Sequence, residues 1–348
     1  MPVDREKGKM MNYYFFVNPV AGKGKGSEKL VWKIRAAAEK AGVQPVIYQT
    51  KGVGDAERRA REIAESLCGA GPDPGFDKGS EIARFYACGG DGTVNEVVNG
   101  IAGFPGIAVG IIPTGTGNDT IRNFFSDNHS GEQGYPLYKE DFQNIEKQLA
   151  GNVVTIDLMK YRGVIDGVQR ERYCVNMFNN GFDCNVVARA AELKKKPFIS
   201  GSFAYLLAVF QMFVRKKGIA LTVSADQREI RSGQMLLCSV SNGSFCGGGI
   251  KSSPLSSVCD EVIEINLIND VTRRKFLKLF PKFSQGKHYE MEEAKGIVEM
   301  VRCRTARLEP FGAEAFQCCV DGEIAVTTGL EIEVCPGALQ MILPHSAA

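Results

Sequence analysis

Along the first 125 residues, short apolar runs alternate with stretches whose apolar residues recur every three or four positions. The runs Tyr13–Val17, Val46–Gln49, Arg84–Ala87 and Ile107–Ile112 predict strands. Between them, Leu30, Val31, Ile34 and Ala38 mark one face of a helix from Ser27, its expected cap, to about Ala41. Ala56, Ala60, Ile63, Ala64 and Leu67 mark a second helix, with Asp55 as its expected cap, and Val94, Val97, Val98 and Ile101 fall at helical spacing on a third. This alternation implies a parallel sheet covered by helices, with ligands at the carboxyl ends of the strands.

The texture then changes. Residues 126–143 are polar and weakly patterned and read as an excursion or linker. From Val153 onward come short β-like runs: Val153–Leu158, Tyr173–Phe178, Ala220–Ser224, Met235–Val240, Val262–Ile268, Phe316–Val320, Glu331–Val334 and Leu339–Leu343. Only an apolar helix near 200 and a basic helix near 271–285 interrupt them. The fold class expected is α/β: an N-terminal parallel-sheet domain over residues 1–145, joined by the C-terminal segment 335–348, and an antiparallel β-rich domain over 146–334. The apolar stretch Phe198–Val214 carries Ser200, Gly201, Ser202 and Gln211, and its 17 residues sit at the lower limit for a membrane span. A buried or membrane-facing helix is the preferred reading.

Composition adds limits. A length of 348 residues with 44% hydrophobic content can fill two cores, and a net charge of +2 gives no general attraction to nucleic acid. The positive charge is local, at Lys194–Lys196, Arg215–Lys217 and Arg273–Lys275, which suits either a solvated face or anionic lipid. Eleven scattered cysteines and three histidines lack metal-ligand spacing, so reduced thiols in a cytosolic protein are the economical reading. Met1–Met10 is polar and gives no secretory signal.

Chemistry concentrates in four places. Residues 88–96 read Cys-Gly-Gly-Asp-Gly-Thr-Val-Asn-Glu between a strand and a helix. Glycines there let backbone N–H groups approach a phosphate, the helix aims its positive end at the same spot, and Asp91 suits a magnesium ion or a phosphate-bound water. The alternative is a turn that merely reverses the chain. Asn18 to Gly26 forms a second glycine-rich turn without Walker A spacing, and Pro113 to Asp119 a third, whose Asn118 and Asp119 suit a cap or a nucleoside contact. Asp321-Gly322-Glu323 is a type I′ hairpin turn on one reading and a pair of acids presented to a site on the other.

Together these motifs resemble the diacylglycerol kinase catalytic-domain family, which includes sphingosine kinases, ceramide kinases and soluble bacterial lipid kinases. The resemblance rests on Asn18-Pro19…Gly22, Thr50 ahead of Gly54-Asp55-Ala56, Gly89–Asn95, Pro113…Asn118-Asp119, Gly247–Gly249 and Asp321-Gly322-Glu323, in the family's order and across almost the whole chain. It implies ATP contacts at Asn18, Pro19, Val20, Ala21, Gly22, Thr50, Gly89, Gly90, Asp91, Gly92, Thr93, Val94, Asn95 and Thr116. It further implies a base at Asp321 or Glu323, unranked, and Asp91 serving Mg²⁺-nucleotide. A structural Mg²⁺ site maps onto Ser257, Asp260 and Val262, the first and last through backbone carbonyls. Here the chain departs from the family's Asp-Gly, having Asp260-Glu261.

The function so implied is an ATP- and Mg²⁺-dependent lipid kinase, cytoplasmic and peripherally membrane-associated, with its active site in the cleft between the domains. Its substrate would be a lipid hydroxyl, as on diacylglycerol or a sphingoid base, with Phe198, Phe203, Tyr205, Leu206, Phe210 and Phe213 as candidates for an acyl groove. Anionic lipid would be a peripheral electrostatic partner, nucleic acid would not be a partner, and a homodimer is compatible with the sequence. An NAD kinase or phosphofructokinase-like enzyme and a non-catalytic lipid-binding homologue are the alternatives.

Overall fold

The structure, a computed structural model, describes residues 11–21, 26–69, 81–125, 137–194, 201–215 and 217–345, and the side chains of all of these except 194 and 201–206. The chain divides into two compact units. The first is built from described residues within Met1–Gly115, Tyr135–Ile156 and Ala338–Ala348, the second from those within Thr116–Gly134 and Asp157–Gly337. The expected boundaries near 145 and 335 differ from these chiefly in the loop after Gly115, which goes with the second unit.

In the first unit, β1 (Asn12–Val17), β2 (Pro45–Gln49), β3 (Ala83–Gly89) and β4 (Ile107–Pro113) form a parallel sheet in the order β2-β1-β3-β4. Gln340–Ile342 adds a parallel strand beyond β4. The helices α1 (Ser27–Ala41), α2 (Asp55–Cys68) and α3 (Asp91–Ile101) match the expected periodic segments. Both faces of the sheet are covered, which is why its strands read as unbroken apolar runs. Phe15 stacks on Tyr86 at 4.5 Å on one face, and Phe16 packs on Phe85 at 5.4 Å on the other. Each such buried ring contributes about 1.5–3 kcal/mol.

Two expected caps differ. Ser27 and Asp55 are first residues of their helices, whose cap positions are Gly26 and Gly54. Gly54 sits at φ 79°, and its N–H and that of Ala56 donate to the Glu96 carboxylate of α3 at 2.8 and 3.0 Å. The Asp55 carboxylate is instead engaged by the Tyr48 hydroxyl, the Lys51 N–H and Arg58. Of the expected linker 126–143, residues 126–136 lie outside the described residues, and Lys139–Gln143 is a short helix.

The second unit is antiparallel β. Val298–Cys303, Ile263–Ile268, Leu237–Ser241, Met177–Gly181, Phe316–Val320 and Glu323–Thr327 pair in that order. Arg228–Met235, Ile219–Ala225, Thr305–Pro310 and the start of Leu330–Leu343 form a further series. Phe178, Leu221, Val240, Ile265 and Leu308 meet in its core. The run Tyr173–Phe178 is two strand ends, Val168–Cys174 and Met177–Gly181, separated by a turn, and Met235–Val240 is likewise divided at Leu236. Helices Phe182–Lys194, Gly201–Arg215 and Arg273–Phe283 share a second apolar core through Val186, Ala208, Met212 and Leu279. Among the described residues no helix is long and apolar enough to cross a membrane.

Candidate active site

At the carboxyl ends of β1 to β4, three turns are bonded to one another. A Cβ on Gly89 would overlap the Thr93 hydroxyl, so the turn between β3 and α3 requires glycine there. Thr93 Oγ1 accepts from Asn18 Nδ2 at 3.2 Å, and Asn18 N donates to the Cys88 carbonyl at 3.0 Å. The first turn closes on itself, with Val20 N donating to Asn18 Oδ1 at 3.1 Å and Ala21 N to the Asn18 carbonyl at 3.3 Å. Thr114 and Gly115 donate their N–H groups to the Gly89 carbonyl at 2.9 and 3.2 Å, and Thr50 N donates to Val17 O at 2.9 Å.

Asn18, Pro19, Val20, Ala21, Thr50, Gly89, Gly90, Asp91, Gly92 and Thr93 are thereby gathered at one sheet edge; Gly22 lies outside the described residues. A Cβ on Gly90 would meet only the Gly115 Cα, at 3.5 Å, so backbone approach from that side is open. Asp91 opens α3, whose amino end favours an anion. Val94 and Asn95 are buried in α3, where Val94 N donates to the Gly90 carbonyl at 3.2 Å.

In the second unit, Asp321 and Gly322 have φ of 47° and 91°, and Val320 pairs with Glu323. This is the I′ hairpin, and it also divides two acids between two environments. The Asp321 carboxylate turns inward and accepts from the N–H groups of Val175, Asn176 and Met177 at 2.8, 2.9 and 3.1 Å and from Cys174 Sγ at 3.1 Å. Glu323, the first residue of its strand, is exposed.

The turn that Asp321 holds leads on to Asn176, whose amide donates to the Phe245 carbonyl and accepts from Asn123 Nδ2 at 2.9 Å. Asn123 in turn accepts from Ser244 N at 2.8 Å. Asp119, expected as a cap or nucleoside contact, accepts from Gly248 N with both oxygens at 3.0 and 2.9 Å and so fixes the loop Gly247–Gly249. That loop holds φ of 60°, 84° and 120° in succession, a path only glycine follows without strain. Thr116 belongs to this unit. Glu96, Asn123 and Asn176 escaped the sequence reading, because their partners are remote in sequence and no spacing rule marks them.

Of the expected metal ligands, Ser257, Asp260 and Val262 lie in the turn before strand Ile263–Ile268. One Asp260 oxygen pairs with Arg302, and the other, Oδ1, is buried without a partner. Burial raises its carboxyl, against the pull of Arg302. The following position is left-handed, φ 62° at Glu261, which is where a glycine would be at ease. The Glu261 carboxylate pairs with Arg304 at 3.2 Å. Among the described residues no three His, Cys, Asp or Glu side chains cluster as a metal site. A cation here would therefore use the orphaned Asp260 oxygen with backbone carbonyls, and the residues present fit that donor set.

The same unit contains a small apolar cavity of about 50 Å³. Phe182, Leu236, Phe276, Phe280 and Phe283 wall it, with Asp183 and His288 as its polar members. Burial lowers the His288 imidazole to about 4. Of the expected acyl-groove residues, Phe210 is exposed, Phe213 packs on Phe276 at 5.4 Å, and neither lines this cavity. Phe198 and the side chains of Phe203, Tyr205 and Leu206 lie outside the described residues. The basic helix Arg273–Phe283 supplies the aromatic wall instead, because its aromatic residues recur at helical spacing on the face opposite its lysines.

Glycine-rich turns beside a helix amino terminus at the carboxyl ends of a parallel sheet, with a β-rich unit carrying an acidic hairpin, are the arrangement of a kinase-like α/β protein. Residues 12–161 match the diacylglycerol kinase catalytic domain, and residues 176–343 match the YegS C-terminal NAD kinase beta sandwich-like domain. The chain belongs to the diacylglycerol kinase-like lipid kinases.

It is 29% identical over 257 residues to a protein named diacylglycerol kinase from Mycobacterium tuberculosis (strain ATCC 25618 / H37Rv), covering 74% of this chain and 75% of the other. With the "Probable lipid kinase YegS-like" protein of Pseudomonas aeruginosa (strain UCBPP-PA14) it shares 29% over 325 residues, 93% of this chain and 92% of the other. Two crystal structures from Bacillus anthracis str. Sterne described as diacylglycerol kinases, one of them provisionally, share the fold. Their TM-scores are 0.68 and 0.60 at 20% identity, covering 98% and 97% of this chain and 100% and 98% of theirs.

Proposed function

We propose that the protein transfers the γ-phosphoryl group of ATP to the hydroxyl of a lipid such as diacylglycerol or a sphingoid base. What carries the lipid half of this reading is the aromatic-walled cavity in the unit that also presents Glu323. The nucleotide half rests on the interlocked turns at Asn18, Thr50 and Gly89–Thr93, where the backbone at Gly90 is open to approach and the amino end of α3 suits phosphate. Asp91, at the start of α3, is placed to serve the Mg²⁺ that accompanies ATP. That ion would neutralise charge on the phosphates.

Glu323 is the base in this scheme and Asp321 its positioning residue. Asp321 is committed to three backbone N–H groups, while Glu323 is an exposed residue at the start of its strand. As the lipid oxygen bonds to the γ-phosphorus and the bond to the β-phosphate oxygen breaks, Glu323 takes the hydroxyl proton. In the β-rich unit, Asp260 Oδ1 with the carbonyls of Ser257 and Val262 would hold a structural Mg²⁺. The exposed basic face of the 273–283 helix, with Arg274, Lys275 and Lys278 beside the exposed Leu277, is the proposed contact with anionic lipid at a membrane surface.

Labelled ATP with a panel of diacylglycerol, monoacylglycerol, sphingoid base, ceramide and NAD, read by product mass, tests the reading. A lipid phosphate is expected; phosphorylation of NAD alone would overturn it.

A further inference from the structure

Two helices, α2 and α3, begin at the carboxyl edge of the first sheet, and one of them is capped by the other. The cap position of α2 is Gly54, at φ 79°, which brings no side chain to the orphaned N–H groups of the helix start. Asp55, the next residue, is turned elsewhere. Its carboxylate accepts from the Tyr48 hydroxyl and the Lys51 N–H, both at 2.8 Å, and so ties the loop after β2 back to its own strand. The cap comes from α3: one Glu96 oxygen accepts from Gly54 N at 2.8 Å and the other from Ala56 N at 3.0 Å. Glu96 lies on the helix that Asp91 opens, about 7.5 Å further along its axis.

Farther on, the two helices are joined without that loop. A Cβ on Gly100 would stand 2.6 Å from the Ala60 Cβ and 2.7 Å from the Glu57 carbonyl, so the helices touch there. Arg61 Nη2 also donates to the Asn99 carbonyl at 2.6 Å. The packing of α2 on α3 therefore does not need Glu96, and what Glu96 adds lies at the loop. Residues 50–54 are held to β2 by Asp55 and to α3 by Glu96, while Thr50 N is fixed on Val17 O at 2.9 Å. A serine or aspartate cap on α2 itself would have satisfied that helix alone. A cap reaching across from α3 makes the loop and the glycine turn one body.

Building on the lipid-kinase reading, we infer that Glu96 is a positioning residue for the nucleotide: it sets the Thr50–Gly54 loop against α3, so that Thr50 and the Gly89–Thr93 turn present one fixed surface to ATP. A loop that is in place only part of the time weakens a ligand by that fraction.

The experiment is calorimetric titration with ATP and Mg²⁺, together with Tm, for the wild type, Glu96→Asp, Gly54→Ala and Arg61→Met. Glu96→Asp keeps the charge but shortens the reach by about 1.5 Å, so it cannot keep both bonds. Its Kd for ATP should rise about fivefold or more. Arg61→Met breaks the same helix pair away from the loop, and it should lower Tm with Kd within about twofold of the wild type. If Glu96→Asp fails to fold, Gly54→Ala decides: it strains the left-handed turn, meets no neighbour, and should weaken ATP likewise. A Kd for Glu96→Asp within twofold of the wild type overturns the assignment and leaves the kinase reading standing. So does an Arg61→Met protein that loses as much ATP affinity for the same fall in Tm. A wild type that binds no ATP overturns both.

Discussion

The two acids of the hairpin should separate under conservative substitution. In Asp321→Asn, the amide oxygen can stay on the Oδ1 side and keep the bonds from Asn176 and Met177. Its NH₂ then faces the Val175 N–H, donor against donor, where the carboxylate accepted at 2.8 Å. The loss is one charge-assisted bond plus an unsatisfied donor, together about 2–4 kcal/mol. For a unit of this size that is a fall in Tm of roughly 4–16 °C. Glu323→Gln touches an exposed side chain and should stay within about 0.5 kcal/mol of wild-type stability. Its kcat should nevertheless drop about 10²-fold or more while ATP binding persists, since the proton acceptor is gone. Scanning calorimetry with single-turnover lipid phosphorylation measures both. The assignment fails if Glu323→Gln turns over normally. It fails equally if Asp321→Asn melts like the wild type yet loses as much turnover as Glu323→Gln, for then Asp321 is the base and its backbone bonds carry no weight.

Asp91→Ala should leave the fold intact and cost about 3 kcal/mol or more of transition-state stabilisation, and near-normal turnover would count against the phosphate edge. Gly89→Ala should lose ATP binding and lower Tm, because the new methyl overlaps Thr93, and equilibrium binding of a fluorescent ATP analogue reports it. His288 sits folded at about 4 against an ordinary 6.5, so the unfolded chain binds a proton that the native state refuses. Its stabilising effect is present above 6.5 and lost as pH falls toward 4, by at most about 1.4 kcal/mol per pH unit. His288→Phe should flatten that acid limb in denaturant titrations, and an unchanged slope would refute the origin. The protein should sediment with anionic but not neutral vesicles, reversibly in high salt, and Arg274→Ala with Lys275→Ala should weaken this; equal binding to neutral vesicles would remove the charge argument.

What the sequence made legible was whatever depends on local spacing. The strands and helices of the first unit were readable because a sheet covered on both faces needs unbroken apolar runs, and helices against it need a 3.6-residue stripe. The glycine turn at residues 89–93 was readable for the same reason: Gly89 is forced by a contact only four residues away, at Thr93. The helix caps were not, because Gly54 and Ala56 find their acceptor in Glu96, about forty residues on, where no local rule points. Likewise, the ranking of Asp321 and Glu323 stayed open in sequence, since an Asp-Gly turn looks alike whether its acid faces in or out. What separates the two acids in space is the turn at residues 174–177, which takes the Asp321 carboxylate and also splits the apparent strand Tyr173–Phe178 in two. The aromatic cavity wall shows the same limit in reverse. The most apolar stretch drew attention to the 201–215 helix, yet a cavity needs apolar side chains facing a gap rather than a high mean apolarity. The basic helix supplies them through Phe276, Phe280 and Phe283, spaced four and three residues apart beneath a charged outer face.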